Sequence, residues 1–228
     1  MPAPAANPAT GGFAHTKLYD LACAAPLIVV YGFVCAGNVL LILRQWPVAQ
    51  DWKAQLTIAN EVATLIFFGL QVALCLVRRL PVGKSDGLWP RLVALLGANF
   101  NITLLLLPRA TLNESWTLIS AGLTDGGILA SVAMLAYLGR SFSIFPEARG
   151  LVTSGPYRYI RHPLYLAEMI SSVGIMLQYR QPWAALIALL TIAFQLRRMG
   201  YEESILRHSF PGYDGYAAHT RRLIPGLY

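Results

Sequence analysis

The feature that most constrains this chain is a series of long apolar runs, over residues 21–43, 54–77, 91–107 and 116–138. At ~1.5 Å of rise per residue a helix of such length crosses a hydrocarbon layer ~30 Å thick. The first run closes at Arg44, the second at Arg78-Arg79 and the third at Pro108-Arg109. Pro90 is placed to open the third helix, and Asn113 or Ser115 to cap the fourth. Trp46, Pro47 and Trp52 read as an interfacial loop with aromatic anchors. Two shorter apolar segments, 164–178 and 182–196, flank Tyr179-Arg180-Gln181 and read as a tight helical hairpin that crosses and returns. The expected fold is all-α, a polytopic transmembrane helical bundle of four spans plus a C-terminal helical hairpin.

Composition agrees. Only 13% of the residues are charged and 56% are hydrophobic, where a soluble domain carries about a quarter charged residues. The length suits one bundle, with a disordered tail over 1–20, N-terminal transmembrane helices over 21–137 and a region 138–228 forming a single domain with them. The tail has no basic segment leading into an apolar core, so it does not read as a signal peptide. Cys23, Cys35 and Cys75 lie in or beside apolar runs without CxxC spacing and read as buried thiols. His15, His208 and His219 are scattered and give no metal-ligand spacing.

The net charge of +7 is a matter of topology, and no nucleic-acid partner is expected. With the N-terminus in the cytoplasm, Arg44, Lys53, Arg109 and Arg180 fall outside and the other fourteen of the 18 Lys and Arg fall inside. The positive-inside bias selects this orientation. Both termini and the polar stretch before the hairpin are then cytoplasmic, and Arg221-Arg222 can meet anionic membrane lipids.

That polar stretch, residues 149–165, carries two glycines, two prolines, three tyrosines and a basic cluster. It reads as a loop built to hold a ligand. His162 precedes Pro163, so its backbone is biased toward extended geometry, and Pro163 suits the first position of a helix. Beyond the hairpin, Arg198 and Glu202 stand at i, i+4, as do Glu203 and Arg207. Such pairs share a helical face. One reading is two ordinary surface ion pairs, worth little; the other is a carboxylate pair facing the loop. Glu61, Asn99, Asn101 and Asp125 lie within apolar spans, where polar groups serve either function or interhelical hydrogen bonds. Gly126-Gly127 reads as a close helix contact.

Leu151-Val152-Thr153-Ser154-Gly155-Pro156-Tyr157, Arg161-His162-Pro163-Leu164-Tyr165, and Glu202-Glu203 followed by Phe210-Pro211-Gly212 with Tyr213 and Tyr216 resemble the integral-membrane methyltransferase family. That family includes isoprenylcysteine carboxyl methyltransferases and phospholipid N-methyltransferases. Leu138-Gly139-Arg140-Ser141-Phe142 fits the same pattern, so the resemblance covers residues 138–228. It implies S-adenosylmethionine at the cytoplasmic membrane face, held by Leu151, Val152, Tyr157, His162, Pro163, Leu164, Tyr165, Glu202 and Glu203. Arg198 with Glu202 takes the catalytic position that orients a lipophilic or membrane-delivered acceptor. Arg149 stands where animal isoprenylcysteine enzymes often carry a histidine.

The implied reaction is carboxyl methylation of an isoprenylcysteine-like or other lipophilic acceptor, with phospholipid N-methylation or thiol S-methylation as alternatives. Physical chemistry fits the implied cofactor. A sulfonium gains ~0.5–2 kcal/mol from an aromatic face, and Tyr157, Tyr159 and Tyr165 supply faces. Its carboxylate needs Arg149, Arg158, Arg161 or loop amides. Arg198 would neutralise an anionic acceptor, with Glu202 fixing its fork. A competing class is an NADPH-dependent membrane reductase like the sterol reductases, which share an Arg-His-Pro-x-Tyr element and often place an acid near Glu168. A transporter would instead line a path across several spans with polar residues.

Overall fold

A computed structural model describes residues 16–46 and 51–224. Residues 1–15 of the expected tail, with His15, and Pro47 of the interfacial loop lie outside the described residues. Among the described residues the fold is all-α apart from one two-residue ladder and two isolated bridges. Five helical stretches among the described residues are long and apolar enough to cross a membrane. They are α1 (Lys17–Gln45), α2 (Trp52–Val77), α3 (Trp89–Asn99) with its 3-10 continuation (Phe100–Leu106), α4 (Glu114–Leu138) and α6 (Trp183–Ser209). The first arm of the hairpin, α5 (Pro163–Leu177), has 15 residues, about 22 Å. Its second arm, α6, has 27 residues and runs past the apolar part to Ser209.

Local chemistry sets the helix ends. Thr16, Asp51 and Asn113 cap α1, α2 and α4, accepting from the backbone N–H of Tyr19, Ala54 and Trp116. Asn113, not Ser115, is therefore the cap of α4. Proline opens α3 and α5, where its missing N–H costs nothing. The Thr16 cap starts α1 earlier than its apolar run, so residues 17–20, expected in the tail, are helical. Asp20 is buried at 3% exposure. The tryptophans Trp46, Trp52, Trp89, Trp116 and Trp183 all stand exposed at helix ends, as an interfacial belt requires.

Helix α4 lies against α5, α1 against α2, and α3 against α6. The α4–α5 contact depends on glycine. A Cβ on Gly127 would sit 2.5 Å from the Ser171 nitrogen, and one on Gly174 2.5 Å from the Thr124 nitrogen. Gly126 faces open space. Polar groups within the spans pair across helices: Tyr31 Oη donates to Asn99 Oδ1 at 3.2 Å, and Asn60 Nδ2 to Asp125 Oδ1 at 2.6 Å. Asn101 joins Ser172 (2.5 Å) and Thr191 (3.0 Å). Glu61 instead lines a cavity at the hairpin-tip end, with Lys53, Arg109 and Asp125.

The two ends of the bundle separate as the charge pattern demands. At one, the hairpin tip is clamped to the α3–α4 loop, Arg180 N donating to the Pro108 carbonyl and Ala110 N to the Gln178 carbonyl. At the other, strand β1 (Gly83–Lys84) pairs antiparallel with β2 (Glu147–Ala148). There the C-terminal segment returns to the loop before α5, the backbone N–H groups of Arg161 and His162 donating to the carbonyls of Arg221 and Arg222. The polar stretch and the exit of the hairpin thus share one end.

Candidate active site

The chain leaves α4 at Gly139, in the left-handed region with φ 48°, turns through a 3-10 segment and buries Phe142 and Ile144 in the core. Arg149 then pins the segment. Its guanidinium binds Asp20 Oδ1 (2.5 Å), Glu147 Oε2 (2.5 Å) and the Arg79 carbonyl, while Arg78 Nε reaches Asp20 Oδ2 at 3.0 Å. Asp20, Arg78 and Arg149 are all buried. Arg149, expected as a partner for a cofactor carboxylate, is instead committed to this ion network, because two carboxylates meet it where water is excluded. A Cβ at Gly150 would come within 2.5 Å of Ser141 Oγ, so the strand of chain leading to Leu151 packs tightly on the α4 exit.

At Gly155, φ +60°, the backbone turns against the Tyr137 ring, where a side chain has no room. The following 3-10 turn, Gly155–Arg158, buries Tyr157. Tyr216, on α7 (Tyr213–His219), donates its hydroxyl to the Tyr157 carbonyl at 2.6 Å. Burial pushes the Tyr157 and Tyr213 hydroxyls well above the usual phenol range, and that of Tyr216 up to about 12. All three remain neutral at physiological pH.

Glu202 and Glu203 diverge. Glu202 Oε2 accepts from Tyr165 Oη at 2.6 Å and faces a cleft between the loop and α6. Glu203 faces the other way and ties the loop to the helix: Arg161 Nε at 2.9 Å, His162 Nε2 at 3.1 Å and Arg222 Nε at 3.3 Å surround one of its oxygens. The two i, i+4 pairs read from the sequence do not form. Arg207 pairs with Asp214 at 2.7 Å, since Glu203 turns inward toward the loop. Arg198 lies over the Tyr165 ring, 4.9 Å from its centroid, and its Nη2 reaches the Ser143 carbonyl at 3.5 Å.

The cleft has two adjoining halves. Tyr157, His162 and Glu202 line both. Leu164, Tyr165 and Arg198 line the deeper half, and Leu151, Val152 and Tyr213 the outer one. Pro163 sits buried at the start of α5 and fixes where that helix begins; neither it nor Glu203 lines the cleft. Tyr159, offered as an aromatic face, is 69% exposed and points away. Cleft residues that the sequence does not mark out as site residues are Phe142 and Ser143 in the deeper half, Tyr213 and Tyr216 in the outer, and Glu147 in both. The Tyr213/Tyr216 spacing behind Phe210-Pro211-Gly212 was the available signal, since i, i+3 residues share a face. The Tyr213 hydroxyl is buried with no hydrogen-bond partner among the described residues.

Arg198 and Phe142 also line a second cavity, of ≈ 160 Å³, within the bundle among α1, α2, α3, α4, α5 and α6. The buried guanidinium therefore stands at the junction between the cleft and a chamber at membrane depth. No group of three or more metal-ligating side chains occurs among the described residues.

Sequence comparison accords with this arrangement. Residues 116–212 match the phospholipid methyltransferase family. The chain is 32% identical over 135 residues to the nickel-cobalt-cadmium resistance protein NccN of Alcaligenes xylosoxydans xylosoxydans, covering 55% of this chain and 62% of that protein. It is 34% identical over 108 residues to protein-S-isoprenylcysteine O-methyltransferase A of Arabidopsis thaliana, with 43% and 54% covered, and 34% over 125 residues to the B form, with 51% and 62% covered. The chain thus spans less than two thirds of the length of these relatives. The similarity to the phospholipid methyltransferase family thus lies in residues 116–212, which supply α4, the cleft loop, α5 and α6.

Proposed function

We propose that this protein transfers a methyl group from S-adenosylmethionine to a lipophilic acceptor that reaches the site from the membrane, with a carboxylate as the group methylated. The observation that carries the reading is the position of Arg198, shared between the Tyr165–Glu202 cleft and the chamber inside the bundle. A donor on one side and an acceptor on the other would meet there.

The residues of the cleft fit S-adenosylmethionine. Tyr157 and Tyr165 offer aromatic faces to a sulfonium. Glu202 offers a carboxylate to ribose hydroxyls, and the unpartnered Tyr213 hydroxyl offers a buried polar group awaiting a ligand. Bound there, the cofactor supplies an electrophilic methyl group. Each half of the cleft is only ≈ 40 Å³, so seating a nucleoside requires widening. Arg161, His162 and Arg222, gathered on Glu203, hold the loop in register with α6 while this happens.

The protein's part in the reaction is positional. Arg198 aims and neutralises the acceptor carboxylate; the Tyr165 ring beneath it and the Ser143 carbonyl beside it fix its fork. The Tyr165–Glu202 hydrogen bond holds Glu202 for the donor. Alignment in a site shielded from water supplies most of the rate effect. Glu168, which keeps a reductase in view, lies in the chamber and not in the cleft, so the acid has no contact with the cofactor side. We assign the cleft end of the bundle to the cytoplasm, following the distribution of Lys and Arg.

Incubation of the purified protein with methyl-labelled S-adenosylmethionine and a native lipid extract tests the function. Base-labile label in a lipid product is expected for a methyl ester, and it should vanish with Arg198→Ala. No labelled product from any lipid fraction would refute the reading.

A further inference from the structure

The hairpin-tip end of the bundle, opposite the cleft, holds a cavity of ≈ 290 Å³ between α2, α4 and the loop joining α3 to α4. Both helices begin at that end, where Lys53 of α2 lies 3.9 Å from Glu114 of α4. At ~1.5 Å of rise per residue, Glu61 stands ~12 Å deeper than Lys53 along α2, and Asp125 as far below Thr117 along α4. Lys53 and Arg109 therefore stand at the mouth, and two carboxylates at the floor. Asp125 Oδ1 accepts from Asn60 Nδ2 at 2.6 Å. Arg109 is steadied by Gln178 Oε1 at 3.1 Å and by the Tyr179 ring, 5.3 Å away at its centroid. Among the described residues Glu61 makes no ion pair or side-chain hydrogen bond, and Arg109 acts on it only across the cavity. Opposite charges thus face one another with a polar space between them. A carboxylate inside a span is costly until water or a ligand meets it.

We propose that this cavity is a second binding site, for a small zwitterion with a primary ammonium at one end and a carboxylate at the other. The ammonium goes to the floor, between Glu61 and Asp125, and the carboxylate to Arg109, whose planar fork matches it. Lys53 is already engaged by Glu114, so Arg109 is the cation assigned to the ligand. Ligands of one charge fit less well: a simple anion meets two carboxylates at the floor, and a simple amine gains nothing from Arg109. Among the described residues no aromatic side chain lines the cavity, so a methylated ammonium finds no ring to rest on. Thr57, Thr117 and Ser120 offer hydroxyls instead, which suit the N–H donors of a primary ammonium. The volume is about twice that of a cavity that holds benzene, enough for a few methylenes between the two charges. The site shares no lining residue with the cleft or the chamber and does not rest on the methyl-transfer reading.

A series of amino acids with terminal charges separates this site from a water-filled vestibule. β-Alanine, 4-aminobutyrate and 6-aminohexanoate vary the distance between the charges, and the alkylamine and alkanoate of matching length carry one charge each. Binding to the full chain in nanodiscs is followed by ligand-observed NMR, with protein-free nanodiscs as the background. At least one amino acid should bind about tenfold tighter than both of its singly charged counterparts. Glu61→Gln should bring that amino acid down to the affinity of the alkanoate, and Arg109→Gln to that of the alkylamine. Ala121→Leu keeps every charge and fills part of the cavity, so it should weaken the amino acid by a similar factor. No advantage for any member in the wild type would overturn the proposal, leaving a solvated vestibule only. An advantage that survives Glu61→Gln and Arg109→Gln belongs to another site and would overturn it as well. The wild-type series needs no variant, so a misfolded Glu61→Gln protein does not shield the proposal.

Discussion

The guanidinium of Arg198 lies 4.9 Å from the centroid of the Tyr165 ring, and the hydroxyl of that same ring donates to Glu202 at 2.6 Å. One tyrosine thus joins the two charged groups that sequence spacing alone would have paired directly. The ring supports the cation from below and anchors the carboxylate at its edge. In the proposed function Arg198 meets the acceptor and Glu202 the donor.

Separate roles for the two residues give separate phenotypes. Arg198→Ala should lower the turnover number by on the order of 10²–10³, the usual loss when a positioned charge donor is removed. Binding of S-adenosylmethionine, followed by calorimetry, should change little. Arg198→Lys should recover only part of the activity, because a point charge does not replace the planar fork.

Tyr165→Phe keeps the ring under Arg198 and deletes the bond to Glu202. Hydrogen bonds to charged groups contribute roughly 1.5–3 kcal/mol. Affinity for S-adenosylmethionine should therefore fall by about tenfold or more while the thermal midpoint holds. A large drop in the midpoint would show that the bond serves the fold rather than the ligand.

The network beneath the loop predicts a stability phenotype instead. Asp20→Asn leaves Arg78 and Arg149 buried without their shared carboxylate. Breaking a buried pair from one side costs roughly 3–5 kcal/mol. Unfolding in detergent should occur at a clearly lower temperature, and hydrogen exchange should accelerate over residues 147–152, where Arg149 holds the cleft wall.

How much was visible beforehand depended on distance along the chain. The spans followed from hydropathy, because a lipid-facing helix needs no partner to declare itself: Phe33, Leu106 and Leu189 stay exposed on the bundle surface. The loop and Glu202 were legible as motifs. The Asp20 network was not, since its partners lie 58 and 129 residues away, and an acid just before an apolar run looks like part of a tail. The same blindness gave Arg149 to a cofactor and Glu203 to the cleft. Spacing at i, i+4 suggests a Glu203–Arg207 pair, but an inward-facing carboxylate finds Arg161 and His162, partners that no local rule could supply. The chamber is not legible in the sequence because its wall is drawn from six helices.

The proposed sidedness rests on the charge distribution and is open to a direct check. In a cysteine-free background, Asp86→Cys at the cleft end should react with an impermeant maleimide only from the cytoplasmic side of the membrane. Thr111→Cys, beside the hairpin tip, should react only from the opposite side. The reverse pattern would move the site to the other face.

Calorimetric titration of the detergent-solubilised protein with S-adenosylmethionine, and separately with NADPH, tests the central claim most directly. The account predicts saturable binding of S-adenosylmethionine that is lost in Glu202→Ala, and no binding of NADPH. Binding of NADPH alone would contradict it.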